Sequence, residues 1–140
     1  MFMGTFENKM DSKGRTFLPA KLRRDCGEVF VLTRWLDNCV GVYTTESWNA
    51  LADKLKALPS AKARDTQRFF FSAAEQVVLD KQGRILIPPV LRQYAGLQND
   101  VVIIGAGERI EIWSKERMNA YSGEDALQER VTADMIDMGI

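Results

Sequence analysis

The chain predicts an α+β fold, mainly β, made of two copies of one unit around a pseudo-two-fold axis. A short stretch occurs twice: Met10-Asp11-Ser12-Lys13-Gly14-Arg15-Thr16-Phe17-Leu18-Pro19 and Leu79-Asp80-Lys81-Gln82-Gly83-Arg84-Ile85-Leu86-Ile87-Pro88. The match continues past each proline. Seven of the seventeen positions 11–27 are identical at a constant shift of 69, where chance gives about one. Apolar, β-prone runs then recur in both copies, at 29–32 and 101–104, followed by the pairs Val42-Tyr43 and Ile112-Trp113. Two copies point to a pseudo-symmetric domain, since a solenoid needs at least three.

Residues 1–10 hold a first strand through Thr5, Phe6 and Met10, with Asn8 and Lys9 polar near its end. Gly14 supplies the positive φ of a tight turn, and Asp11 at the start of that turn can accept from the next backbone N–H groups. The stretch therefore predicts a hairpin, with a second strand at 15–18 and Arg15 leaving the turn beside Asp11. Pro19 opens a short helix that Gly27 closes. Strands follow at 29–32 and 40–43, joined through Asp37-Asn38. Thr44 or Thr45 caps a helix whose Trp48, Leu51, Leu55 and Leu58 share one face, with Pro59 as its stop.

Residues 60–73 have no counterpart in the other copy. They predict a second helix ending in Phe69-Phe70-Phe71. Three consecutive phenylalanines cannot all face one core from a lone helix, so some pack between the repeats or against another subunit. Lys62, Arg64 and Arg68 fit a solvated face, with a nucleic-acid site as the alternative. The second unit repeats the plan: strands at 77–79, 85–87, 101–104 and 110–113, a helix from Pro88 to Ala95, and a closing helix from Ser114 that Gly123 ends. The tail beyond is either helical or disordered. The expected division is 5–47, 48–75 for a helical connector, 76–119, and 120–140 for an acidic tail.

At 140 residues, 46% apolar and 27% charged, the composition is that of a soluble globular protein with a real core. No apolar run approaches a membrane span and no signal pattern opens the chain, which places it in the cytoplasm with no membrane partner. Cys26 and Cys39 lack metal-like spacing; they fit as small packing residues, with a disulfide or a zinc site as the alternatives. There is no histidine, so the commonest general base and transition-metal ligand are both missing. No cofactor or metal is implied.

The formal net charge is zero, but it is unevenly spread. Six bases (Lys9, Lys13, Arg15, Lys21, Arg23, Arg24) and one acid, Asp11, lie between residues 9 and 24. From Gly123 onward, five acids (Glu124, Asp125, Glu129, Asp134, Asp137) face Arg130 alone.

Two Asp-x-x-Gly-Arg hairpins, each followed by a proline-started helix, resemble the SpoVT–AbrB domain. Two such units joined by helices ending Gln67-Arg68-Phe69-Phe70-Phe71-Ser72, with Ile110-Glu111-Ile112-Trp113-Ser114-Lys115-Glu116-Arg117 near the end, resemble the MraZ family from about Gly4 to Tyr121. The resemblance implies a swapped-hairpin β-barrel formed by the two repeats and a ring-shaped homo-oligomer. It also implies a bacterial transcriptional regulator, taken as a repressor, that binds double-stranded DNA at direct repeats upstream of its own operon in the division and cell-wall cluster. Association with the nucleoid follows. The family's Asp-x-x-x-Arg signature falls on Asp11 with Arg15 and on Asp80 with Arg84, and the first hairpin is the family's DNA-facing edge.

The candidate DNA contacts are thus Arg15, Lys13 and Lys9, with Arg84 and Lys81 in the second copy; Asp11, Gly14, Asp80 and Gly83 build the turns. A two-stranded ribbon tip fits the major groove, about 12 Å wide. Arginine suits a bidentate contact to guanine or phosphate, and lysine a phosphate alone. Asp11 positions its arginine, since a carboxylate is repelled by phosphate. An Asp–Arg pair that merely staples the turn is the competing account, and the apolar flanks of the second copy favour it there. Arg23 and Arg24 either extend the basic surface or form a solvated helix face. A few phosphate contacts per subunit bind weakly, so a ring presenting many tips gains roughly 10²–10⁴ from avidity. The alternatives are a ring-forming structural or protein-binding module that does not touch DNA, and an enzyme using Asp11 and Asp80 as paired carboxylates. The enzyme is rejected for want of a base near neutral pH, a phosphate loop or a metal cluster.

Overall fold

The computed structural model describes residues 1–123 and 125–140; Glu124, counted above in the acidic tail, lies outside the described residues. The first half contains β1 (Thr5–Lys9), β2 (Arg15–Phe17), α1 (Ala20–Arg23), β3 (Val29–Trp35), β4 (Cys39–Thr44), α2 (Thr45–Lys56) and α3 (Ser60–Phe71). The second contains β5 (Glu75–Val78), β6 (Arg84–Leu86), α4 (Pro89–Ala95), β7 (Asp100–Gly105), β8 (Ile110–Ser114), α5 (Lys115–Ser122) and α6 (Ala126–Asp137). The fold is α+β and mainly sheet.

The strands form a six-stranded antiparallel sheet, ordered β1-β7-β8-β4-β3-β5, and a separate two-stranded ladder, β2-β6. The six-strand order is unchanged when the repeats are exchanged and the list is reversed. The pseudo-two-fold axis runs between Gly41 and Glu111, which pair with each other between Val40↔Ile112 and Val42↔Ile110. It also crosses the short ladder at Thr16↔Ile85.

The hairpin expectation is corrected in one respect. β1 pairs with β7 of the second repeat and β5 with β3 of the first, while β2 pairs only with β6. Within the first repeat, Met10, just beyond β1, makes a single isolated bridge to Thr16 of β2. β1 pairs with β7 through one edge only, and β2 ends after three residues ahead of Pro19, which has no N–H to extend a ladder. β1 and β5 are the two edges of the larger sheet, which among the described residues is not closed into a single barrel.

The interleaving gives the chain a main core shared by both repeats, beside a smaller cluster of Cys39, Val102 and Trp113. Leu18, Leu22, Phe30, Leu32, Val40 and Val42 from the first repeat pack in the same cluster as Ile85, Ile87, Leu91, Val101, Ile103, Ile110 and Ile112 from the second. Val29 and Asp100 are the exposed first residues of β3 and β7, so Phe30 corresponds to Val101 rather than Val29. Residues 97–99 lengthen the approach to β7 relative to residue 28 before β3. A one-residue slip in a strand turns every side chain to the opposite face.

Thr44 and Ser114 cap α2 and α5 as expected, their hydroxyls accepting from the backbone N–H of Ser47 and Arg117 at 3.0 Å each. Helix α2 stops at Lys56, short of Pro59, which instead stands immediately before α3. The three phenylalanines diverge: Phe69 packs edge-on to Tyr94 of the second repeat, Phe70 is buried against Trp35, and Phe71 meets Trp48. Thr33 Oγ1 donates to the Phe70 carbonyl at 2.6 Å and Arg34 Nε to the Phe69 carbonyl at 2.9 Å, tying the connector to β3. Cys26 and Cys39 are buried free thiols; burial pushes Cys26 up to about 11 and Cys39 higher still. Among the described residues no helix is long and apolar enough to cross a membrane.

Candidate nucleic-acid interface

Each Asp-x-x-Gly-Arg stretch closes on itself in the same way. The Asp11 backbone N–H donates to the Arg15 carbonyl at 2.9 Å, and the Gly14 N–H donates to the Asp11 carbonyl at 3.0 Å. Asp80, Gly83 and Arg84 repeat these bonds at 2.9 and 3.0 Å. Gly14 and Gly83 hold φ of 89° and 83°, the region a side chain resists.

The carboxylates complete the turns. One Asp11 oxygen accepts from the N–H groups of Lys13 (3.0 Å) and Arg15 (2.8 Å), and the other accepts from Arg15 Nε at 2.7 Å. Asp80 takes the N–H groups of Gln82 (2.8 Å) and Arg84 (2.9 Å) and the Arg84 Nε at 2.8 Å. The backbone N–H of Arg15, followed by its guanidinium, holds the Asp11 carboxyl below the usual carboxylate range; the N–H and guanidinium of Arg84 do the same for Asp80. Because each bond uses Nε, the guanidinium is oriented at its stem.

The β2-β6 ladder brings the two turns together. Leu18 N–H donates to the Gly83 carbonyl at 3.1 Å, and Ile87 N–H to the Gly14 carbonyl at 2.9 Å. Strand alternation sends Thr16 and Ile85 into the core and turns Arg15, Phe17, Arg84 and Leu86 outward. Across the ladder Arg15 stands opposite Leu86, and Arg84 opposite Phe17. Arg15 and Arg84 therefore share one face with two half-exposed apolar side chains between them. Lys13 and Lys81 are exposed in the two turns. The chemistry is not symmetric: Lys13 corresponds to Gln82 and Lys81 to Ser12.

Lys9 stands apart from this group. Its ammonium pairs with Asp100 of β7 at 2.5 Å, which lowers the Asp100 carboxyl. Arg24 is exposed on the short first helical turn. The spacing of motifs did not single out Arg92, yet it packs against Gly14, and Arg23 packs against Gly83. Their equivalence at the shift of 69 was the available signal. Among the described residues no three His, Cys, Asp or Glu side chains cluster as a metal site.

A duplicated β domain that pairs two carboxylate-braced arginine turns on one face is defined by this geometry. The family model described as "MraZ protein, putative antitoxin-like" matches it twice, at residues 1–69 and 70–138. The chain belongs to the MraZ family. It is 52% identical to the protein named transcriptional regulator MraZ of Heliobacterium modesticaldum over 143 aligned positions, covering 100% of both chains. Proteins of the same name from Halothermothrix orenii and Natranaerobius thermophilus are 51% and 48% identical, again over 100% of each chain.

Proposed function

We propose that this chain is a DNA-binding transcriptional regulator and that the paired turns are its DNA-reading edge. The carrying observation is that Arg15 and Arg84 lie on one outward face, each fixed at Nε by its own carboxylate. An arginine oriented before binding loses less conformational freedom when it contacts a base or phosphate. Arg15 and Arg84 supply the bidentate contacts and Lys13 and Lys81 phosphate contacts; Lys9 joins them only on releasing Asp100. The name shared by the relatives supports the regulator class.

In this proposal the two ladders correspond to a swapped-hairpin barrel with units at 5–47 and 76–119, a connector at 48–75 and a tail at 120–140. The chain assembles into a ring, represses the division and cell-wall cluster from direct repeats upstream of its own operon, works in the cytoplasm at the nucleoid, and catalyses no reaction. A net charge of zero makes single-site binding weak, so several tips engage several repeats. A gel shift with the chain's own upstream duplex at two salt concentrations tests this. Retardation that weakens at the higher salt, and that fails with a single repeat, is expected. No retardation at either salt would leave a protein-binding ring as the function.

A further inference from the structure

Phe17 and Leu86 hold equivalent positions in the two repeats, at the shift of 69. Each is the last residue of its strand, β2 or β6, and each is half exposed. The residues on either side of them in the chain are turned inward: Thr16 and Leu18 are buried, and so are Ile85 and Ile87. Arg15 stands opposite Leu86 and Arg84 opposite Phe17, so basic and apolar side chains alternate around the four corners of the ladder. Arg84 Cζ lies 5.9 Å from the centre of the Phe17 ring. Asn8 Nδ2 donates to the Phe17 carbonyl at 2.9 Å, which holds the backbone of this residue where the ladder ends.

An outward position on a strand needs no apolar side chain. Threonine there would favour the strand and remain solvated. Large apolar groups at both equivalent positions, each beside an arginine, suit a surface that a ligand covers. In the major groove the base edges present one apolar group, the C5 methyl of thymine; the other groups there donate or accept hydrogen bonds. Phe17 and Leu86 are diagonal neighbours across the Thr16↔Ile85 pair. Such neighbours stand roughly 7–8 Å apart, about two base steps of a duplex. We propose that Phe17 and Leu86 are specificity-determining residues that cover thymine C5 methyl groups beside the bases contacted by Arg84 and Arg15. This rests on the DNA-reading function above and adds what the edge selects between its arginine contacts: a 5-methylpyrimidine rather than any pyrimidine.

The test compares the upstream duplex with the same duplex carrying deoxyuridine in place of every thymidine. That exchange removes each C5 methyl and keeps every donor and acceptor of the base edges. Binding is followed by fluorescence anisotropy for the wild type, Phe17→Ala, Leu86→Ala and the double variant. The wild type is expected to bind the deoxyuridine duplex more weakly, by roughly fourfold for each methyl covered. Each single variant is expected to lose part of that preference, and the double variant all of it. Equal affinity of the wild type for the two duplexes would overturn the proposal. So would a preference undiminished in both single variants, which would mean that the methyl groups act through the shape of the DNA. A changed particle mass by light scattering in either variant, with the preference intact, would also overturn it, in favour of a face covered by a second copy. If Phe17→Ala does not fold, Leu86→Ala decides alone. A wild type that binds neither duplex would instead overturn the DNA-reading function itself, a result distinct from equal binding of both.

Discussion

The guanidinium of Arg84 lies 3.9 Å from the carboxylate of Asp11, across the pseudo-two-fold axis from its own partner Asp80. The two turns are thus one electrostatic unit rather than two separate staples. Arg84 is held by Asp80 at 2.8 Å and feels Asp11 as well. Removing the Asp11 carboxylate should therefore disturb both arginines.

Asp11→Asn tests this coupling. It keeps an acceptor for the Lys13 and Arg15 N–H groups but removes the charge that orients Arg15 and attracts Arg84. Binding to the upstream duplex should weaken more than in Asp100→Asn, which touches only the Lys9 pair. Anisotropy titrations of the two variants supply the comparison, with equal affinities counting against a shared role.

The same carboxylates set an acid limb of stability. Asp11 and Asp80 titrate below their ordinary value when folded. A depressed folded-state pKa contributes stability that is present above the unfolded-state value and is lost as pH falls through the folded value. Thermal melting should therefore drop on acidification below the ordinary carboxylate range, and the drop should be smaller in the Asp11→Asn/Asp80→Asn double variant. Superimposable acid limbs would contradict this.

Gly14→Ala and Gly27→Ala separate strain from crowding. Both positions have positive φ, 89° and 73°, which costs a non-glycine residue about 1–2 kcal/mol. Gly27 has open space around it, whereas Gly14 carries Arg92. Gly14→Ala should be the more destabilising in urea titrations, and pairing it with Arg92→Ala should recover part of the difference.

Inward and outward residues of the short ladder should behave oppositely. Ile85 is fully buried in the shared core, so Ile85→Ala should cost about 2–5 kcal/mol. Phe17 is 50% exposed, so Phe17→Ala should cost much less stability while still altering DNA affinity. Comparable losses for both in chemical denaturation would argue that Phe17 is packed rather than presented.

Local signals in the sequence named most elements. Gly14 and Gly83 marked the turns, Thr44 and Ser114 the caps, and the shift of 69 the duplication. Partnership between strands was not local. That β1 would choose β7 over β2 depends on a core assembled from both repeats, which no stretch of ten residues encodes. The turn acids and arginines were legible because Asp and Arg sit four positions apart and close a ring of hydrogen bonds. Arg92 was not, since its partner Gly14 is distant in the chain and a contact with a missing Cβ leaves no mark of its own. The end of α2 at Lys56 likewise owes less to Pro59 than to the linker of Ala57 and Leu58 before the second helix.

Amide hydrogen exchange of the full-length protein, with and without its upstream duplex, tests the central claim most directly. The DNA-reading edge predicts slowed exchange at 11–17 and at 80–86 in the complex, the two stretches changing together. Unchanged exchange at both, with protection confined to another surface such as α3, would contradict it.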